Sequence, residues 1–345
     1  MNKWFAWLVV GWLAFGAEPL PASTINGQNY VPITDWARAN GLNTSWLKWG
    51  DKLVASDHDT RLVFEVDSHY AEINGVQVAL SFPVAKVKGA PLIAQFDLDK
   101  TVRPLLFPSR YVSPRAITTI CLDPGHGGRD SGNRVRWRSE KTYTLALAQE
   151  LRGQLRKAGF NVILTRSKDV YVGLPDRPAL ANQRGADLFV SLHFNAVVSG
   201  AGTVAGPETY CITPVGASSS NAQGEGGGAR ATTANHCETR SLLFAYVMEK
   251  SLVQRLGTED RGVRRARFAV LRDAAMPAIL IEGGYMTNPT EGQKIFDAAY
   301  RKQMAAAIVK GILAYQKMTL PSGAVTGSSH SKSLKSAEKK GRHSD

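Results

Sequence analysis

Cysteine is scarce in this chain: Cys121, Cys211 and Cys237 are the only three in 345 residues, and none forms a CxxC pair. That excludes a dense disulfide framework and a cysteine-based metal site. A hydrophobic share of 43% must therefore hold the fold by packing alone. In an oxidising compartment Cys211 and Cys237 could pair around the segment between them, with three unpaired thiols as the equal alternative. Long apolar runs are missing as well. The most apolar stretch, Trp4 to Phe15, falls short of the about 20 residues that cross a bilayer. It follows Lys3 and leads into "AEPLPAS", the layout of a secretory signal peptide, which predicts an exported chain working in the periplasm or cell envelope with residues 1–22 as its leader. Tryptophans at 4, 7 and 12 support the alternative of an uncleaved anchor, the one reading that ties the chain to a membrane.

Acidic residues are outnumbered, 29 against 42 basic, for a formal charge of +13. Such an excess calls for an anionic partner. No zinc-finger, RNP or helix-turn-helix signature accompanies it, so nucleic acid is set aside in favour of an anionic cell-envelope polymer. Part of the charge lies in "SHSKSLKSAEKKGRHSD", within a solvated basic tail read over residues 321–345.

What is present divides in two. Residues 23–114 read as a small β-rich α+β module: "LVFEVD", "YAEINGVQVAL" and "APLIAQFDL" are short strand-like runs, Asn74-Gly75 marks a hairpin, and "TDWARANG" a short helix. Over residues 115–320 strands and helices alternate. "ITTICL", "NVILT", "DLFVSLHF", "ETYCIT", "FAVLR" and "AILIE" read as strands; "SEKTYTLALAQELRGQLRKAGF", "ETRSLLFAYVMEKSLVQRLG" and a closing run over 296–318 read as helices. The pattern predicts an α/β domain with a largely parallel twisted sheet flanked by helices on both faces. The Gly/Ser-rich insertion at 215–235 has almost no helix propensity, so no helical self-inhibition is expected from it.

In such sheets ligands bind beyond the carboxyl ends of the strands. His126, in "CLDPGHGGRDSGN", follows one strand; His193 lies near the end of a second and Glu282 at the end of a third. Glu140 opens the first long helix, where an acidic side chain also serves the helix dipole. Two imidazoles and a carboxylate with a fourth position open is the ligand set of a catalytic zinc, and a second carboxylate then moves the proton. Spacing alone leaves open which glutamate does which.

Four separated blocks carry a resemblance. "CLDPGHGG", "SEK" with Glu140, "LTRSKDVYVGLPDRPALANQRGADLFVSLHFNA" and "GVRRARFAVLRDAAMPAILIEGGYMTN" resemble, in order, the blocks of the zinc-dependent N-acetylmuramoyl-L-alanine amidases. The likeness implies one zinc held by His126, Glu140 and His193, with Glu282 as general base and acid. It further implies peptidoglycan as substrate, cut at the amide between N-acetylmuramic acid and L-alanine, with any activating protein unknown. Arg166 and Asn195 stand in the same blocks as candidates for substrate contact or support of the site. Residues 24–108 loosely resemble the small domain at the start of some copper amine oxidases, which implies a binding or spacer role. Two rivals stand beside the amidase reading: a zinc carboxypeptidase or endopeptidase within the stem peptide, and a wall-binding protein without turnover. Asp57–Asp59 and His236 are read as decoys.

Overall fold

The computed structural model describes residues 23–112, 114–221 and 230–320. The expected leader and basic tail lie outside these, as does part of the expected insertion, residues 222–229.

The second half builds as the alternation predicts. Thr119–Pro124 lies between Asn161–Leu164 and Leu188–Asn195, and Leu188–Asn195 pairs with Ala278–Tyr285, all in parallel. Glu208–Cys211 then runs antiparallel to Ala278–Tyr285 and parallel to Val263–Arg265. Strand side chains alternate between faces, and that alternation divides the core. Ile120 and Leu122 share a cluster with Leu147 and Leu151 of the Glu140–Lys157 helix, Phe244 of Glu238–Leu256 and Ile308 of Ala298–Thr319. Cys121 faces the other way, with Ala181 of the Asp176–Gln183 helix and Leu271. Helices thus cover both faces.

"FAVLR" is not a strand. Ala269–Arg272 is one helical turn, and the strand expected there is instead Val263–Arg265, the "VRR" just before it. A three-residue strand has no readable alternation of its own; its neighbours create it. One neighbour is Glu208–Cys211 and the other, unexpectedly, is Val76–Ala79 of the first half.

That second pairing joins the two halves. Asn43–Lys48, Lys52–Ser56, Arg61–Glu65, Tyr70–Ile73 and Val76–Ala79 form an antiparallel meander. Asn74 and Gly75 hold positive φ (47° and 79°) at the expected hairpin turn. Through Val78 and Val263 the meander continues the sheet of the second half, so eleven strands run in one sheet among the described residues. The cores merge too, since Phe64, Ile73 and Val78 belong to the cluster that holds Leu122 and Phe244. The Tyr246 hydroxyl donates to the Ile73 carbonyl at 2.9 Å, and the Gln77 amide to Asp260 at 2.6 Å. No helix among the described residues is long and apolar enough to cross a membrane.

All three cysteines are buried and unpaired. Cys211 and Cys237 do not bridge; the Cys237 sulfur accepts from Arg240 at 2.9 Å.

Candidate active site

The carboxyl edge of the parallel strands gathers the expected residues. Thr119–Pro124 ends and the chain turns sharply: His126 takes a left-handed φ of 62°, uncommon for a residue with a side chain and a mark of a position held by its surroundings. Two buried arginines hold it. Arg177 reaches the carbonyls of Pro124 and His126 at 3.1 and 3.0 Å, while Arg166 reaches those of Pro124 and Gly125 at 2.9 and 2.8 Å. Below them, Asp123 accepts from Arg177 at 2.8 Å and from Ser191 at 2.7 Å. The histidine is thereby presented on a stiff backbone.

Glu140 is the meeting point. It is only 1% exposed, although it opens a helix. Its Oε2 lies 3.1 Å from His126 Nε2 and its Oε1 3.0 Å from His193 Nδ1. The amides of Asn133 and Phe194 donate to the same carboxylate at 2.9 and 3.1 Å. Helix-dipole relief alone needs no such burial. Burial by itself would raise the Glu140 pKa, but its hydrogen bonds and charge contacts with the two histidines hold it well below the usual carboxylate range. For His126 burial works downward, and Glu140 and then Asp130 outweigh it, leaving the imidazole more basic than usual.

The donor set fits a zinc ion. Three ligand atoms of His126, Glu140 and His193 lie within 4.8 Å of one another, two nitrogens and one oxygen of the kind zinc prefers. The space around them is kept free of carbon. A Cβ on Gly125 would stand 2.3 Å from the His193 ring, and one on Gly132 would meet His126 at 2.5 Å and Glu140 at 2.6 Å.

Glu282 sits beside this group, its backbone in register with His193 on one side and Glu208 on the other. Its Oε2 is buried with no hydrogen-bond partner. Burial, then the negative charges of Glu140 and Glu208, push its pKa well above the ordinary carboxylate value. A carboxyl in that state suits proton transfer better than a structural role.

Of the two lesser candidates, Arg166 is 3% exposed and its guanidinium donates to the carbonyls of Pro124, Gly125 and Lys141, the arrangement of the supporting role, one of the two expected for it. Asn195 stays at the strand end, its side-chain oxygen accepting from Ala196 at 3.1 Å. Sequence reading passed over Asp130, whose Oδ2 lies 2.9 Å from His126 Nδ1. An acid four residues beyond a candidate ligand was the available signal. It also passed over Arg177 and Glu208, for which no local signal exists. Asp57–Asp59 is an exposed turn in which Asp57 accepts from the amides of residues 59 and 60, and it is not part of the metal-competent group.

Comparison with known proteins gives a family for most of the second half and for part of the first. The N-acetylmuramoyl-L-alanine amidase family matches residues 120–314, and the copper amine oxidase N-terminal domain matches residues 16–96. The amidase AmiA of Escherichia coli K12 is 33% identical over 220 residues, covering 57% of this chain and 75% of AmiA. YqiI of Bacillus subtilis, a protein without an assigned activity, is 34% identical over 197 residues, 57% of this chain and 84% of YqiI. Among solved structures, the catalytic domain of the amidase CwlV from Bacillus (Paenibacillus) polymyxa var. colistinus is 32% identical, covering 59% of this chain and 99% of that one, with a TM-score of 0.49.

Proposed function

Since the chain belongs to the N-acetylmuramoyl-L-alanine amidase family, and so hydrolyses the amide between N-acetylmuramic acid and L-alanine in peptidoglycan, we propose that His126, Glu140 and His193 hold one zinc ion and that Glu282 moves the proton. The carrying observation is the cluster of three ligand atoms beside a carboxyl oxygen that is buried and partnerless. When bound, zinc supplies a Lewis acid that polarises a carbonyl and brings the pKa of water to about 7. The rest falls to the chain. Glu282 accepts the proton of the attacking water and then delivers it to the departing alanine nitrogen, which must leave as a neutral amine. Asp130 orients the His126 ring, and the arginines behind the loop keep the His126 turn in place as charge develops.

Residues 115–320 carry this chemistry, and residues 23–114 brace it through the shared sheet. The substrate lies outside the cytoplasm, which supports export, with residues 1–22 as the leader. The test is product analysis on purified peptidoglycan with and without a chelator. New amino-terminal L-alanine that vanishes with chelator is the expected result. New ends elsewhere in the stem would favour a carboxypeptidase or endopeptidase, and bound zinc without cleavage a wall-binding protein.

A further inference from the structure

A cleft of about 360 Å³ is walled by two segments that adjoin Glu140 and Glu282 in the chain. One wall is the hairpin Arg134–Ser139, which leads directly into Glu140; the other is the segment after Glu282, with Met286, Asn288 and Phe296. Arg136 and Arg138 are the only charged side chains that line it. Neither, nor Arg134, joins an ion pair among the described residues. The Arg138 guanidinium lies between two rings, 4.1 Å from the Phe296 centroid and 4.6 Å from that of Trp137, and its buried Nε has no hydrogen-bond partner. Trp137 is 74% exposed. Apart from a long bond of 3.4 Å from Arg138 to the Gln293 side-chain oxygen, the Arg136 and Arg138 guanidinium groups face the cleft beside aromatic surface without an anionic partner.

The hairpin itself is unusual. Arg136 and Trp137 form its two-residue turn, and Arg136 holds φ 56°, a left-handed position where glycine is the economical residue. An arginine retained there keeps a cation at the mouth of the cleft at some cost in backbone strain.

This inference rests on the amidase reading and adds a preference to it. We propose that the Arg136–Trp137–Arg138 hairpin and the Met286–Phe296 wall bind a free carboxylate on the second residue of the stem peptide. The enzyme then favours stems with glutamate at that position over stems in which the same carboxyl is amidated. Reach is compatible: Arg138 stands two residues from Glu140, a span of at most about 7 Å, and the second-residue carboxylate lies a comparable distance beyond the cleaved amide. An acid-lined or apolar cleft would favour the amide instead, by repelling or failing to solvate the carboxylate.

The experiment compares kcat/KM of the full chain on muramoyl-L-alanyl-D-glutamate and on its α-amide. Expected is a preference of about tenfold or more for the free acid, as for a charge-assisted hydrogen bond, declining with salt. Arg136→Gly should bring the ratio toward one while folding at least as well as wild type, because glycine relaxes the turn; Arg138→Gln should do likewise. Equal rates on both substrates in wild type, or an unchanged ratio in both variants, overturns the proposal and leaves the amidase reading intact. Hydrolysis of neither counts against the amidase reading only where peptidoglycan is also left uncut. The preference is then read from Trp137-dependent fluorescence, with Trp137→Phe as the blank, on titration with L-alanyl-D-glutamate and its α-amide. Tighter binding of the acid sustains the subsite; equal or absent response to both dismisses it.

Discussion

Asp130 Oδ2 stands 2.9 Å from His126 Nδ1, on the far side of the imidazole from Glu140. In the tautomer that donates from Nδ1 this leaves the Nε2 lone pair aimed at the metal position, and the carboxylate raises its basicity. Asp130→Ala should therefore weaken zinc binding by about 10- to 100-fold, measured by competition with a chromophoric chelator. Unchanged affinity would reduce Asp130 to a loop residue.

The role proposed for Glu282 is to move protons and not to bind metal. Glu282→Gln should keep stoichiometric zinc while lowering kcat by about two to four orders of magnitude. Metal analysis of the same preparation decides the point, because a variant that loses its zinc would make Glu282 a ligand.

Asp123 and Arg177 form an ion pair with side chains 0% and 1% exposed beneath the His126 loop. Breaking such a pair from one side strands the other charge, at about 3–5 kcal/mol. Asp123→Ala should lower the unfolding free energy by that order in a denaturant titration. A loss under 1 kcal/mol would mean that water reaches Arg177.

Gly262 lies at the seam of the two halves, with φ 90° and room for no Cβ: one would stand 2.8 Å from the Gln77 carbonyl oxygen. Gly262→Ala should destabilise the protein by more than about 1 kcal/mol, and limited proteolysis should expose the 23–114 half first. Cleavage at the wild-type rate would show that the seam contributes little.

Asp97 is fully buried and accepts from the amides of Ser81 and Phe82 at 2.7 and 2.9 Å. Burial lifts its pKa from 3.8 to about 6, against the pull of those bonds. Between those values the folded state holds a proton that the unfolded state has released, so stability is greatest below pH 3.8 and is lost as pH rises toward 6. Relative to Asp97→Asn, wild type should lose on the order of 3 kcal/mol across that window and stay level above it. A flat difference from pH 4 to 7 would contradict the shift.

Much of the site was legible because its residues end strands. His126, His193 and Glu282 could be singled out from apolar runs that close on an ionisable group, and Glu140 from its place at the start of a helix. The resemblance then separated the two glutamates; spacing did not. What stayed hidden had no run to close. Val263–Arg265 is a strand only because two neighbours hydrogen-bond to it, and "FAVLR", with the composition of a strand, curls into a turn beside it. Arg166 could be placed in a site block, but whether it met substrate or supported the site was not readable there; its burial behind the loop comes from the fold.

The sequence by itself determined the local periods, the turn at Asn74-Gly75, and which strands would deliver a metal-binding group to their carboxyl ends. These depend on side-chain alternation and backbone preference within a few residues. Tertiary structure alone decided that Glu140 is buried between two imidazoles, that Arg177 and Asp123 support the His126 turn from below, and that the two halves share one sheet. Those are contacts between residues 14 to 185 positions apart, such as Glu140 with His126 and Val78 with Val263. No local period encodes them, since they form only when the packed core brings distant segments to hydrogen-bonding distance.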